Sequence, residues 1–291
     1  MQTRKPIVAG QFYPGQHDAC IEQIHQCLDA GTPGESLPDT IVAGIVPHAG
    51  WTYSGPLAAM VFSAIRQQHE KVRTFVVFGA AHSYFGPSPA LCDRGVWETP
   101  LGDAALDEEL ADAVLKSSTA VSDARAHAGE HSIEVQVPFI QHLFPGAKIL
   151  PIIVPPTSDA VALGTRVGEI IAQDDEKKIV CIGSTDLTHY GPNYRFTPQG
   201  TDEKALAWAK NVNDKKFIDA ALKLDAASLP TIAAADGNAC GPGAAAAAIA
   251  AAKMLGSQRG LLLAHRTSNE IMLERMGAAG PDAVGYAAII F

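Results

Sequence analysis

Polar side chains that could bind a metal or transfer protons follow three of the apolar, β-branched runs of this sequence. The four candidates are His48, His82, Asp186 and His189. Imidazole ligates first-row metals and exchanges protons near neutral pH, and a carboxylate can orient a histidine or move a proton itself. Gly50, Gly79 and Gly183 stand beside these positions and allow a close backbone approach that larger residues would block. The pattern is typical of a functional pocket.

Two further segments carry groups suited to the same chemistry. Glu130 and His131 stand just before a helix predicted over residues 132–143, so we expect both at a helix start, facing the same pocket. Cys240 precedes Gly241 where an alanine-rich helix opens, and a helix N-terminus favours the thiolate form of a cysteine. Cys240 is therefore the thiol that we expect to ligate a metal or to react.

Plainer interpretations of these residues stay open. Asp186 and Glu130 could cap the segments that follow them, and Cys240 could be a small buried thiol. Four histidines without convergent partners are interpreted as bystanders: His17, His25, His69 and His142. The remaining cysteines are interpreted as core or surface thiols: Cys20, Cys27, Cys92 and Cys181. Five cysteines without a CxxC pair indicate neither a disulfide framework nor a zinc ribbon.

The elements that must position these groups alternate between strand and helix. Apolar runs predict strands over residues 41–46, 74–78, 149–154, 179–182, 260–264 and 283–290. Helical periodicity predicts helices over residues 19–28, 56–67, 106–115, 132–143, 160–172, 203–212 and 242–255. We therefore predict an α/β fold with a mostly parallel central sheet flanked by helices, in a single domain over residues 1–291. Ligands of such sheets bind outside the carboxyl ends of the strands, where the candidate residues stand.

Composition and charge argue against several classes of partner. The formal net charge of −9, from 22 basic and 31 acidic residues, argues against a surface that follows nucleic-acid phosphates. The longest helical apolar segment, residues 243–255, contains Lys253 and is too short to span a bilayer. The first residues lack the apolar stretch of a signal peptide. We expect a cytoplasmic protein that binds neither nucleic acid nor membrane.

Five ordered motifs resemble the signatures of the Memo family. They are Pro47-His-Ala-Gly-Trp-Thr-Tyr-Ser-Gly55, Gly79-Ala-Ala-His82, Glu130-His-Ser-Ile-Glu134, Ser184-Thr-Asp-Leu-Thr-His189 and Cys240-Gly241. The segments Gly10-Gln-Phe-Tyr-Pro14 and Gly285-Tyr-Ala-Ala288 fit the family as well. The resemblance therefore extends over nearly the entire chain.

The resemblance implies a fold related to the class III extradiol dioxygenases, which are non-haem iron enzymes that open rings, and hence a deep pocket in an α/β core. It also implies that His48, His82 and Cys240 bind a metal. Asp186 and His189 match the other polar residues of the family's pocket.

Partners are implied by the same resemblance. Related bacterial and archaeal proteins are named component B of the AmmeMemoRadiSam system, which implies a radical-SAM protein and a third component as partner proteins. Ser83 follows His82 where some relatives carry a second histidine, so a role for that second histidine does not carry over.

Three functional hypotheses are compatible with these groups. The first is a metal-dependent redox enzyme with iron or copper on His48, His82 and Cys240, because a thiolate favours these metals. In it, His189 is an acid or base and Asp186 orients a histidine or the substrate, with His131 and Glu130 as further catalytic candidates. The second is a non-catalytic module whose pocket binds a peptide or partner protein. The third is metal-assisted hydrolysis, which would use zinc.

Overall fold

The computed structural model describes residues 2–34, 36–174 and 178–291. Its strands are β1 (Thr3–Arg4), β2 (Ala43–Val46), β3 (Thr74–Gly79), β4 (Ala90–Leu91), β5 (Val96–Thr99), β6 (Gly102–Ala105), β7 (Val121–Ser122), β8 (Lys148–Ile153), β9 (Ile179–Ser184), β10 (His189–Tyr190), β11 (Leu261–Thr267) and β12 (Ala283–Ile290). Its α-helices are α1 (His17–Ala30), α2 (Trp51–Gln68), α3 (Glu108–Ser117), α4 (Val137–Leu143), α5 (Asp159–Ala172), α6 (Glu203–Trp208), α7 (Lys215–Leu222), α8 (Leu229–Asp236), α9 (Pro242–Met254) and α10 (Ser268–Met276).

The main sheet of the described residues is mixed, with the strand order β10-β12-β2-β9-β3-β8-β4-β7 and with β11 beside β12. Its centre, β2-β9-β3-β8, is parallel. β12 pairs antiparallel with β2, with β10 and with β11. A small separate sheet has the order β1-β5-β6. The predicted α/β class with a parallel centre is confirmed, and the strands at the β12 end are antiparallel.

Helices cover both faces of the central strands, as the continuous apolar runs predict. One buried layer contains residues of α3, α5, α7, α8 and α9, and the other contains residues of α1, α2 and α4. The alanine-rich α9 is buried along almost its whole length and packs on α5. A Cβ on Gly164 of α5 would collide with the carbonyl oxygen of Ala247, so this close packing needs glycine.

Two predicted helix starts are wrong, and both errors lie beside the pocket. α2 begins at Trp51, with Gly50 as its N-cap, so Pro56 lies inside the helix rather than at its start. α4 begins at Val137 because a 3₁₀ turn, Glu134–Gln136, comes first. Glu130 and His131 consequently lie in an irregular segment before the turn and not at a helix start.

Other differences follow from short or irregular helices. The helix predicted over residues 203–212 is α-helical only to Trp208 and continues as a π-helical turn, Ala209–Asp214. α7, α8 and α10 have eight, eight and nine residues, and two turns offer too little periodicity to predict a helix. Among the described residues, no helix combines the length and the apolar character needed to cross a membrane. The single domain over residues 1–291 stays a prediction.

Candidate metal centre

A cavity of about 790 Å³ lies where β2, β3 and β9 end. Five of the residues singled out from the sequence line it: His48, His82, His131, Asp186 and His189. Glu130 and Cys240 lie directly behind the lining, where they contact His82 and His48. The structure thus brings together side chains from five separate segments of the chain.

His48 lies in the turn between β2 and α2 and is almost fully buried. Its Nδ1 lies 3.0 Å from Ser184 Oγ, and the Ser184 hydroxyl donates its own proton to the carbonyl oxygen of Ser132 at 2.7 Å. Ser184 can therefore only accept from His48, so Nδ1 carries the imidazole proton and Nε2 keeps its lone pair. Burial, followed by the nearby His82 and His131, holds the pKa of His48 well below its usual value.

His82 follows β3 and is fixed by a buried carboxylate. Its Nδ1 donates to Glu130 Oε1 at 3.0 Å, and its backbone N–H donates to Glu130 Oε2 at 3.0 Å. Hydrogen bonding of this kind to a carboxylate orients a metal-binding imidazole and makes its other nitrogen more basic. Burial acts to lower the pKa of His82, but the hydrogen bond and charge of Glu130 outweigh it and the pKa is raised.

Glu130 accepts four hydrogen bonds in all. Besides His82, the backbone N–H groups of His131 and Ser132 donate to Oε1 at 2.9 and 2.8 Å. Burial acts to raise the pKa of Glu130, yet His82 and the Ser132 N–H hold it well below its usual range. The capping interpretation is wrong: Glu130 accepts the N–H of Ser132, but no helix begins there, and the N-cap of the next 3₁₀ turn is Ile133. The same carboxylate also orients His82.

The N-terminal strand holds the segment that carries Glu130. Arg4 donates to the carbonyl oxygens of Glu130 and His127 at 2.7 and 3.2 Å and forms a buried ion pair with Glu134 at 2.5 Å. Its guanidinium carbon lies 4.2 Å from the ring centroid of Trp97. Together these contacts fix the irregular segment from which Glu130 and His131 enter the site.

Three imidazoles converge in the cavity. His48, His82 and His131 each offer one nitrogen, and these three atoms lie within 4.8 Å of one another. The rings of His82 and His131 stack with their centroids 5.1 Å apart, and His48 meets both edge-on at 5.1 and 5.5 Å. Nitrogen ligands of one ion lie roughly 2.1 Å from it, so two of them lie at most about 4.2 Å apart. A shift of a few tenths of an ångström would let all three bind one ion, so the group could hold a metal.

Cys240 lies outside this group of three but beside one of its members. Its Sγ lies 3.1 Å from His48 Nε2, and its backbone N–H donates to the carbonyl oxygen of Asp186 at 3.2 Å. The expected effect of the helix N-terminus is wrong, because burial and then the charge of Asp186 raise the pKa of the Cys240 thiol. Cys240 precedes the N-cap Gly241, and the first helical residue, Pro242, has no N–H to offer. The thiol of the metal-free site therefore keeps its proton.

Asp186 and His189 follow β9 on the same side of the cavity. Asp186 Oδ1 accepts the backbone N–H of His48 at 2.7 Å, so it orients the histidine turn and does not cap a helix. Burial raises the pKa of Asp186 to about 7, against the opposing effect of that hydrogen bond. His189 packs on Tyr194 with ring centroids 5.0 Å apart. Its Nε2 is buried without a hydrogen-bond partner among the described residues.

Several contributors to the site were missed in the sequence. Ser184 and Ser132 set the protonation of His48. Both belong to the motifs given above, but neither serine was singled out for a role. Four aromatic residues contribute to the wall of the cavity: Phe12, Tyr53, Tyr194 and Tyr286. Phe12, Tyr53 and Tyr286 belong to the motifs Gly10–Pro14, Pro47–Gly55 and Gly285–Ala288, which were the available signals. The histidines interpreted as bystanders, His17, His25, His69 and His142, do not line the cavity.

The fold and the site define an α/β protein with a candidate metal centre at the carboxyl edge of its sheet. The family model described as Memo-like protein matches residues 4–290. Proteins described as MEMO1 family proteins are similar over nearly their whole length. The one from Caldivirga maquilingensis is 35% identical, with 100% of this chain and 99% of the relative covered. The one from Methanosarcina acetivorans is 37% identical, again with 100% and 99% covered. This chain belongs to the Memo family.

Proposed function

We propose that this protein is a metal-dependent redox enzyme whose ion is held by His48 and His82, with Cys240 as the third ligand. The observation that carries the proposal is the matched orientation of the two histidines. Each has its Nδ1 hydrogen-bonded to a buried oxygen, of Ser184 or Glu130, so each keeps Nε2 for a ligand. Bound iron or copper would supply electron transfer and an open coordination position for substrate.

The third ligand has two candidates beside these histidines. The Sγ of Cys240 lies 3.1 Å from His48 Nε2, which is shorter than the ~4.4 Å that a sulfur and a nitrogen on one ion can span. The nearby cation would offset the burial that raises the thiol's pKa and so favour the thiolate. His131 is the alternative because its nitrogen already groups with those of His48 and His82. Glu130 is a poor alternative because four N–H groups occupy its oxygens.

His189 is the acid or base of the proposal, and Asp186 positions His48. The buried Nε2 of His189 has no partner among the described residues and belongs to a residue that lines the cavity, so a bound substrate can supply one. Burial and then His82 lower the pKa of His189, which leaves its ring neutral and able to accept a proton. Replacing His189 with Ala should abolish most activity and leave bound metal unchanged within about twofold.

The test begins with metal analysis of protein purified without oxygen, followed by oxygen-consumption assays. Cys240→Ser should lower the affinity for iron or copper at least about tenfold, because a hydroxyl ionises poorly and is a hard ligand. His131→Ala should keep most of the metal. Cys20→Ser, which changes a buried thiol of α1, is the matched control.

Each other outcome points to a different conclusion. Loss of metal in His131→Ala with full metal in Cys240→Ser would make His131 the third ligand. Tight zinc with hydrolysis and no oxygen uptake would favour the hydrolase. A chain that binds no metal would overturn the proposal and favour the peptide-binding module.

A further inference from the structure

Apart from its histidines, the cavity wall carries acidic side chains and no basic ones among the described residues. Apart from histidines and tyrosines, its ionisable side chains are two acids, Asp282 and Asp186, and burial raises the pKa of Asp186 to about 7. No lysine or arginine appears among the described residues that line it. Pockets that bind carboxylate or phosphate groups present cationic side chains or clustered backbone N–H groups. Outside the metal centre, this wall therefore disfavours an anion.

Asp282 carries its charge at a fixed place. Its Oδ1 accepts the backbone N–H of Asn193 at 3.0 Å, and its Oδ2 accepts the side-chain amide of Asn193 at 2.8 Å. Both donors are neutral, so they orient the carboxylate without cancelling its charge. Gly191 packs against it so closely that a Cβ there would collide with Oδ1. The carboxylate is thus preorganised, which lowers the entropy cost of binding a partner.

An aromatic surface joins Asp282 to the histidines. Tyr194 packs on His189 with the two rings tilted by 59°, and Phe12 meets His131 edge-on with ring centroids 5.0 Å apart. Tyr53 lines the same cavity and donates its hydroxyl to the sulfur of Met272 at 3.4 Å. Tyrosine and phenylalanine faces attract flat rings and cations. The wall therefore suits a ligand that has a flat ring and a positively charged group at one end.

We propose that this cavity binds an aromatic amine, with its ring along the Phe12 and Tyr194 wall and its ammonium group on Asp282. The end of the ring opposite the ammonium group then points toward the histidines. This inference rests on the proposed function, since it names the substrate class of the same site. A cavity of about 790 Å³ accommodates a ligand of one or two rings.

The test uses three probes that share one phenol ring and differ in charge: tyramine, 4-ethylphenol and 3-(4-hydroxyphenyl)propionate. Binding is measured by calorimetry and ligand-observed NMR on the full chain, as purified and after chelation of metal. Tyramine should bind about tenfold more tightly than the propionate, which corresponds to ~1.4 kcal/mol. Because the preference is measured without metal as well, it does not depend on whether the metal proposal holds.

Two variants assign the preference to Asp282. Asp282→Asn should bring the tyramine-to-propionate ratio close to one, and Asp282→Lys should reverse it. Asp103→Asn changes an exposed aspartate of β6 that does not line the cavity and should leave the ratio unchanged. Thermal melts check that each variant is folded.

The proposal is overturned by any of three results. These are equal or preferential binding of the propionate to the wild type, no binding of any probe in either metal state, or an unchanged preference in both Asp282 variants. Metal binding with no amine preference would leave the metal site standing and reject this substrate class.

Discussion

Two histidines of this protein pair with buried carboxylates at nearly the same distance and in different surroundings. His82 Nδ1 lies 3.0 Å from Glu130, and His265 Nε2 lies 2.9 Å from Asp214. Each carboxylate is 1% exposed and accepts backbone N–H groups as well. The pairing itself therefore does not distinguish a candidate ligand from a structural contact.

The difference lies in which ring nitrogen the carboxylate takes. Glu130 binds Nδ1 of His82, the nitrogen nearer the backbone, so the outer nitrogen is left to reach into the cavity beside His48. Asp214 binds the outer nitrogen of His265, and its other oxygen accepts the N–H of Thr188 at 2.9 Å. The second pair ties β11 to the segment before His189. Glu130 thus leaves Nε2 of His82 free for a ligand, whereas Asp214 is hydrogen-bonded to Nε2 of His265.

The largest effect should come from breaking the pair at the metal centre. Glu130→Gln puts an NH₂ group among four N–H donors, so His82 loses its orientation and a donor is left unsatisfied. We expect metal affinity to fall about 10- to 100-fold and the free energy of unfolding to fall by about 3 kcal/mol. Metal titration and urea denaturation measure the two effects. Unchanged metal affinity would mean that Glu130 does not orient a ligand.

A smaller effect should follow from acidification, because a metal must displace a proton from His82. The raised pKa of His82 means that its ring stays protonated to a higher pH than a free imidazole. Metal affinity should therefore fall more steeply below that pKa than above it, because the His82 proton adds at most about tenfold per pH unit to the dependence that the Cys240 thiol, with its raised pKa, already imposes. Glu130→Gln removes the cause of the shift, so the midpoint should move to lower pH. If the midpoint does not move, His82 is not the group whose protonation controls metal affinity.

The smallest effect on the metal is expected at the second pair. Asp214→Asn weakens the contacts to His265 and Thr188 and should lower the free energy of unfolding by about 1–3 kcal/mol. Metal affinity should stay within about twofold of the wild type, because neither residue belongs to the histidine group. The same denaturation and metal titrations serve as readouts. A large loss of metal would show that the two pairs are coupled through the segment before His189.

The position of the site was predictable from the sequence, whereas the hydrogen bonds within the site were not. The strand ends that carry His48, His82 and Asp186 were predictable because buried parallel strands are continuous apolar runs, and their polar successors must meet at one edge. The irregular segment of Glu130 and His131 was predicted as a helix start. Its conformation depends on Arg4, which lies 126 residues away from Glu130 in the chain, and no local pattern reports such a contact.

By itself the sequence determined the fold class, the edge of the sheet and the family, because apolar periodicity and ordered motifs are local properties of the chain. Only the tertiary structure decided which nitrogen each histidine presents. That choice depends on Ser184, 136 residues from His48, and on Glu130, 48 residues from His82. The physical reason is that an imidazole has two nearly equivalent nitrogens, so the partner that folding places beside one of them decides which is left for a metal.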